Sequence, residues 1–229
     1  MHKVFTNARL ILDDAMVDGT LEVQSGVIGR VGEGAVHAAG VEDCEGDFLA
    51  PGLIDLHTDA LEGHFIPRPK VYWPDTRAAV LAHDAQTVGS GITTVFDAIC
   101  AGGQELMRAA RRDLYDAMLD AVDSGGALFR ADHLIHLRCE LTDPDLMALV
   151  EPALTRRSLK LASLMDHTPG ARQWRDVEVL RTFLLGIGKS REEVDATVTS
   201  SAERCRAAAD RNFAPLVQIN DGHVDLGDA

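Results

Sequence analysis

Short runs of apolar and β-branched residues, separated by glycines, occupy the first fifty residues and predict β-strands. The runs cover residues 9–12, 20–24 and 27–31. Ser25 and Gly26 separate the last two runs, and a two-residue turn of this kind predicts a tight hairpin. Because no segment here has a helical period, residues 1–50 are expected to form a small β domain.

From Leu53 onward, short apolar runs alternate with amphipathic segments, a pattern typical of a parallel α/β sheet or barrel. Asp75 precedes one predicted helix as an N-cap, and Ser190 with Glu193 forms a capping box before another. The proline-rich stretch 62–74 predicts a loop. We predict strands over 53–57, 93–97, 133–138, 159–165 and 216–219, and helices over 76–88, 104–122, 144–154 and 191–210.

Ionisable residues follow several of these predicted strands. The turn at Pro51-Gly52 leads into an apolar strand from which Asp55, His57 and Asp59 project on one side. Parallel strands have their C-terminal ends on one rim, so the side chains that end these strands should meet there. The residues that we expect to meet are His57, Asp59, Glu140 and His167.

Two imidazoles and two carboxylates suit Zn²⁺, Mn²⁺ or Fe²⁺, with Glu140 placed to bridge if two ions bind. The alternative interpretation is that these residues are strand-end caps and loop salt bridges. Asp97 ends another predicted strand, where it could act in the site or only cap the following loop. His83 and Asp84 are expected on the polar face of a helix.

Four basic residues near the predicted rim are candidate contacts for an anionic substrate. His64, Arg68 and Lys70 lie in the proline-rich stretch, and Arg172 follows the Thr168-Pro169-Gly170 turn. Prolines would hold these side chains in place at little entropic cost. The alternative for each is a solvated surface charge.

Composition excludes several classes of protein. A formal net charge of −14 argues against nucleic-acid and membrane-surface binding. The 46% hydrophobic and 25% charged content is typical of a globular protein, and the N-terminus lacks a signal-peptide core, so a cytoplasmic location is expected. The four cysteines have no C-x-x-C spacing and are expected to be reduced thiols.

At the level of whole motifs, the stretch from Ala50 to His57 resembles the first-strand signature of the amidohydrolase superfamily. The later motifs resemble its phosphonate-metabolism branch: they are His57-Thr58-Asp59 and residues 67–71 with 73–74, 91–98, 136–140 and 163–170. The resemblance implies a (β/α)8 TIM-barrel of α/β class with a small N-terminal β-sandwich portion. It also implies that a metal-activated water releases pyrophosphate from a phosphorylated sugar phosphonate, α-D-ribose 1-methylphosphonate 5-triphosphate. His57, Asp59, Glu140 and His167 match the expected metal ligands.

The chain departs from the family pattern after about residue 213. The Ser-His-Asp-Asp strand end and the late-strand Ser-Asp motif, which carries the expected catalytic Asp, do not occur in residues 214–229. We therefore expect residues 51–229 to form an incomplete barrel, with a homo-oligomer or other association through its open edges. Two alternatives stay open, namely a cyclic amidase or deacetylase acting on a C–N bond, and a catalytically inactive metal-binding chain.

Overall fold

The computed structural model describes residues 2–68, 71–103 and 108–223, with the backbone alone at 108–112, 199–200 and 218–223. Contacts between residues divide the chain into two units, with the boundary between Leu53 and Ile54.

The first unit is one mixed β-sheet. β1 pairs antiparallel with β2, which pairs antiparallel with β3, whereas the two-residue strands β4 and β5 both run parallel to β1. Thr6, Ala8 and Leu10 on β1 are buried at alternate positions, as expected for a strand with one covered face. The strands are β1 (His2–Ile11), β2 (Met16–Gln24), β3 (Val27–Glu33), β4 (Glu42–Asp43) and β5 (Phe48–Leu49).

The predicted hairpin is confirmed by the pairing of β2 with β3. Ser25 and Gly26 form its turn with φ angles of 52° and 84°. Two positive φ values are the signature of a type I′ turn, whose twist matches that of the flanking strands.

The second unit contains a four-stranded sheet in the order β6-β7-β8-β9, in which β7 pairs parallel with β8 and β8 with β9. Its strands are β6 (Leu53–Thr58), β7 (Ile92–Ala101), β8 (Asp132–Glu140) and β9 (Leu159–Met165). Its helices are α1 (Ala60–Phe65), α2 (Thr76–Gly89), α3 (Arg108–Gly125), α4 (Leu146–Ala153), α5 (Val177–Gly186) and α6 (Arg191–His223), with a 3-10 turn at Arg172–Trp174.

The main core lies between this sheet and helices α1 to α4. Ile135 and Leu137 on β8 are fully buried in it, together with residues of α2, α3 and α4. Side chains alternate along a strand, so His136, Arg138 and Glu140 lie on the opposite face of the sheet. The candidate site is built on that second face.

Local signals predicted two helix starts correctly. The Asp75 side chain accepts hydrogen bonds from the backbone N–H groups of Arg77 and Ala78 at 2.9 and 3.3 Å. The predicted capping box is also present, since Ser190 and Glu193 each accept a bond from the other's backbone N–H.

Other local predictions were wrong. Residues 216–219 were predicted as a strand but belong to helix α6, which extends beyond its predicted end at Asp210 to His223. Asn212 explains part of this extension: its buried amide donates to the carbonyls of Leu141 and Asp143 at 2.9 and 2.8 Å, which anchors the helix to the loop after β8. The stretch 62–74 was predicted as a loop, but its first four residues belong to helix α1. Helix α5 was not predicted.

The predicted fold class is confirmed. An N-terminal β unit is followed by parallel strands with helices on one face, and the described residues contain four of the eight strands of a (β/α)8 barrel. None of the helices in the described ranges combines the length and the apolar character that crossing a membrane would require.

Candidate metal centre at the strand ends

His57 and Asp59 form the first part of the candidate site, at the end of β6. His57 Nε2 lies 3.5 Å from Asp59 Oδ2, and Asp59 is the N-cap residue of α1. Asp55 turns back and accepts the His57 backbone N–H at 3.0 Å. Two donor atoms that share a tetrahedral ion through bonds of about 2.1 Å are roughly 3.4 Å apart, so this pair is spaced for a common ion.

Glu140 and His167 form the second part, at the ends of β8 and β9. The Glu140 side chain is only 2% exposed, and one of its carboxylate oxygens contacts His167 Nδ1. The other oxygen accepts the Thr142 hydroxyl at 2.6 Å and the Thr142 backbone N–H at 3.3 Å. This arrangement leaves His167 Nε2 as the ring atom available for a ligand bond.

Arg138 and His136 on β8 contact the candidate ligands at the end of β6. Arg138 Nη1 donates to Asp59 Oδ1 at 2.5 Å. His136 Nδ1 lies 3.2 Å from His57 Nδ1, and His136 Nε2 lies 2.8 Å from Ser163 Oγ on β9. Burial lowers the pKa of His136, and nearby His57 and Arg138 lower it further, so the neutral ring is favoured.

A cleft of about 580 Å³ opens beside this rim. It is lined on the β8 side by Arg138 and on the β9 side by Asp166 and His167, with Arg172 and Gln173 from the following turn. The cleft therefore has two arginines, Arg138 and Arg172, and two aspartates, Asp166 and Asp210, in its lining beside the predicted metal ligand His167.

The predicted anion contacts differ in where they lie. Arg172 lines the cleft. His64 lies 3.0 Å from Gln86 on α2 through Nε2, and Arg68 is exposed in an isolated bridge with Val71. Neither His64 nor Arg68 lines the cleft within the described part of the chain, and Lys70 lies outside the described residues. Burial and nearby His83 lower the pKa of His64, which favours its neutral form.

The donor set fits a divalent ion of the Zn²⁺, Mn²⁺ or Fe²⁺ type, because imidazoles and carboxylates are the usual ligands of these metals. The four predicted ligands lie in two pairs, His57 with Asp59 and Glu140 with His167. The first pair contacts Arg138 on β8, and the second pair includes Glu140, the last residue of β8. Among residues 2–68, 71–103 and 108–223, the four do not form one group in which three or more ligand atoms lie within 4.8 Å of one another.

A compact group of this kind lies elsewhere, on the helix-facing side of the sheet. It consists of His83 from α2, Asp97 from β7 and His133 from β8, which are 3%, 0% and 7% exposed. His83 Nε2 lies 2.7 Å from Asp97 Oδ1, and His133 Nδ1 lies 2.8 Å from Asp97 Oδ2. We call these three residues, together with Asp84, the buried His-Asp cluster.

Two sequence interpretations are corrected by this cluster. Asp97 lies inside β7, which continues to Ala101, so it neither ends the strand nor caps the following loop. His83 and Asp84 are buried and not on a polar helix face. A signal was present, because residues 80, 83, 84 and 87 follow the i, i+3, i+4, i+7 spacing of a covered helix face and all four are buried.

Electrostatics in the cluster follow from its contacts. Burial would by itself raise the pKa of Asp97, but hydrogen bonds from His133 and His83 outweigh it and lower that pKa. Burial would lower the pKa of His133, yet Asp97 and Asp84 raise it above its ordinary value. Asp84 also accepts the backbone N–H groups of Arg130 and Ala131, each at 3.0 Å.

The fold and site together define a barrel-type α/β chain whose ionisable side chains gather at the C-terminal ends of parallel strands. The chain is 40% identical over 185 residues to α-D-ribose 1-methylphosphonate 5-triphosphate diphosphatase of Escherichia coli (strain K12). This match confirms the resemblance indicated by the sequence motifs. It covers 80% of this chain and 48% of that enzyme, so the chain spans about half the length of the curated relative. No family model matches the chain.

Solved structures with similar backbones have much lower sequence identity. N-isopropylammelide isopropylaminohydrolase from Burkholderia multivorans ATCC 17616 is 17% identical with a TM-score of 0.49, covering 95% of this chain and 58% of that one. N-acetyl-D-glucosamine-6-phosphate deacetylase from Mycobacterium smegmatis is 18% identical with a TM-score of 0.46, covering 81% and 52%.

Proposed function

We propose that this chain forms the metal-binding and phosphate-binding rim of a diphosphatase in phosphonate breakdown, in the carbon–phosphorus lyase pathway. The substrate would be α-D-ribose 1-methylphosphonate 5-triphosphate, as the name of the 40% identical relative suggests. One structural observation carries the proposal, namely the cleft whose lining combines the predicted metal ligand His167 with Arg172.

His57, Asp59, Glu140 and His167 would hold one or two divalent ions. A bound ion of this class supplies a water of lowered pKa and polarises phosphoryl oxygens. Water would add across the anhydride bond between the α- and β-phosphates, so that pyrophosphate leaves and the ribose keeps its 5-phosphate.

Side chains of this chain would orient the site and the triphosphate. With the contact between Glu140 and His167 Nδ1 in place, Nε2 is the ligand atom of His167 and Glu140 orients the ring; Glu140 would itself bind an ion only once this contact opened. Arg138 fixes the Asp59 carboxylate through the 2.5 Å contact. Arg172, in the turn after Gly170, would bind phosphoryl oxygens by a bidentate contact.

Phosphorus NMR on the purified chain tests this function. With Mn²⁺ or Zn²⁺ supplied, the ribose triphosphate should yield pyrophosphate and the 5-phosphate, and excess EDTA should stop the reaction. An N-acetyl sugar phosphate, offered separately, should release no acetate. Acetate release without pyrophosphate would favour the C–N hydrolase, and neither product with metal bound would favour an inactive metal-binding chain.

Arg172→Gln tests the phosphate contact, with Arg175→Gln as the matched control. Arg175 is exposed, follows the same 3-10 turn and does not line the cleft in the described residues. Losing a bidentate guanidinium should raise KM at least about tenfold in Arg172→Gln, since an interaction with a charged group contributes about 1.5–3 kcal/mol. Equal KM values in the two variants would contradict the assigned role.

A further inference from the structure

We propose that the buried His-Asp cluster is a second metal site, separate from the rim, which binds one Zn²⁺-like ion through His83 Nε2, Asp97 and His133 Nδ1. These ligands come from α2, β7 and β8 and lie between the sheet and its helices. The rim ligands lie at strand ends, so the two sites share no residue.

The spacing of the ligand atoms suits one ion. The contacts of 2.7 and 2.8 Å place both histidine nitrogens against the two oxygens of the same carboxylate. Donor atoms that share a tetrahedral ion through bonds of about 2.1 Å are roughly 3.4 Å apart, so each histidine nitrogen would have to move away from Asp97 by roughly 0.6–0.7 Å to admit the ion.

Asp84 supplies the orienting contact that metal-bound histidines usually have. His133 Nε2 lies 3.3 Å from Asp84 Oδ1 on the side of the ring away from Asp97. A metal-ligating histidine commonly donates its other N–H to a carboxylate, which fixes the tautomer and the ring orientation. Asp84 is itself held by the backbone N–H groups of Arg130 and Ala131, so it is a positioning residue and not a ligand.

Charge balance favours the ion further. His133 lies between the carboxylates of Asp84 and Asp97, and the buried Nδ1 of His83 has no hydrogen-bond partner in the described part of the chain. Buried carboxylates need compensating positive charge, and a divalent ion would supply it for Asp84 and Asp97.

The site is closed, so the ion would be captured as the chain folds. The test therefore uses the full chain with the rim disabled by His57→Asn and Glu140→Gln. This chain is unfolded in guanidinium with chelator and then refolded with or without Zn²⁺. After removal of free metal, we expect one zinc per chain and a higher melting temperature in the zinc-refolded sample.

Further substitutions in the rim-disabled chain locate the ion. Asp97→Asn should abolish the bound zinc, and Asp84→Asn, which keeps all three ligands, should weaken binding about 10–100-fold. His64→Gln is the matched control: its ring lies 5.2 Å from that of His83, and it should retain the zinc. Circular dichroism checks that each variant folds. If Asp97→Asn does not fold, the loss of zinc affinity in Asp84→Asn is the test.

Cobalt gives an independent readout, because Co²⁺ in a site of low coordination number absorbs visible light strongly. The rim-disabled chain should show this absorption, and Asp97→Asn should not. The proposal would be overturned if the folded rim-disabled chain showed no bound zinc, no cobalt spectrum and no thermal shift. The cluster would then be held together by hydrogen bonds between its side chains. Because the rim is already disabled, this result says nothing against the proposed diphosphatase site.

Discussion

His57 and His136 lie on β6 and β8, which are separated by β7, yet their Nδ1 atoms are 3.2 Å apart. The residue of β7 that pairs with His136 is Ala98. Paired residues of neighbouring strands lie on the same face, so the small Ala98 side chain lets the two rings meet above it.

Replacing Ala98 by leucine should therefore separate the two histidines. The added side chain would push between the rings and cost about 1–3 kcal/mol through overpacking. We expect weaker metal binding at the rim and a lower free energy of unfolding, measured by zinc titration and urea denaturation. Ala98→Gly serves as the control, since it leaves the space open; unchanged zinc affinity in Ala98→Leu would contradict this view of the rim.

The fold was largely predictable from local signals, whereas the buried chemistry was not. Asp75, Ser190 and Glu193 mark helix starts by contacts within a few residues, and such contacts can be read from the sequence. Residues 216–219 could not be assigned correctly, because a short apolar run fits a strand or a helix equally well and the contact of Asn212 with the loop after β8 is nonlocal.

The candidate site shows the same division. His57, Asp59, Glu140 and His167 were proposed as ligands because each follows an apolar run, but the contacts of Asp59 with Arg138 and of His57 with His136 are nonlocal and were not predicted. His83 was assigned to the correct helix and the wrong face. Helical spacing could have indicated that His83 is buried, but its partner Asp97 is 14 residues away along the chain, and no periodicity argument specifies that partner.

The cysteines give a prediction for alkaline pH. Burial raises the pKa of Cys139 to about 12, with a smaller contribution from Cys100. A raised pKa in the folded state favours the neutral thiol, so this contribution to stability is complete below the unfolded value of 9.0 and is lost as pH rises towards 12. Cys139→Ala should show a smaller decline in unfolding free energy between pH 9 and pH 11 than the wild type.

Thiol labelling at pH 8 checks the same point. Cys139 and Cys100 should react only after unfolding, whereas Cys44 and Cys205 are partly exposed and should react earlier. Rapid labelling of Cys139 in the folded chain would contradict its buried position.

The open sheet edges give a prediction about association. β6 and β9 are the outer strands of the four-stranded sheet, and both expose large apolar side chains. Ile54 and Leu56 on β6 are 63% and 61% exposed, and Leu161 and Leu164 on β9 are 38% and 42% exposed. Edge strands with apolar side chains favour pairing with another chain.

Sedimentation of the purified chain should therefore show species larger than one chain of 24.7 kDa. Leu161→Lys and Leu164→Lys together should shift the distribution towards the monomer, because charged residues on an edge strand oppose pairing. Val179→Lys, at a similarly exposed position on α5, is the matched control. A single compact 24.7 kDa species of the unmodified chain would contradict the prediction.

The central claim is that the ends of β6, β8 and β9 bind a divalent metal, and elemental analysis of purified variants tests it most directly. Glu140→Gln keeps the size of the side chain but removes its charge, and His57→Asn removes an imidazole. We predict that each lowers the metal content by about one ion per chain relative to the wild type, while circular dichroism shows an intact fold. Metal content equal to that of the wild type in both variants would contradict the claim.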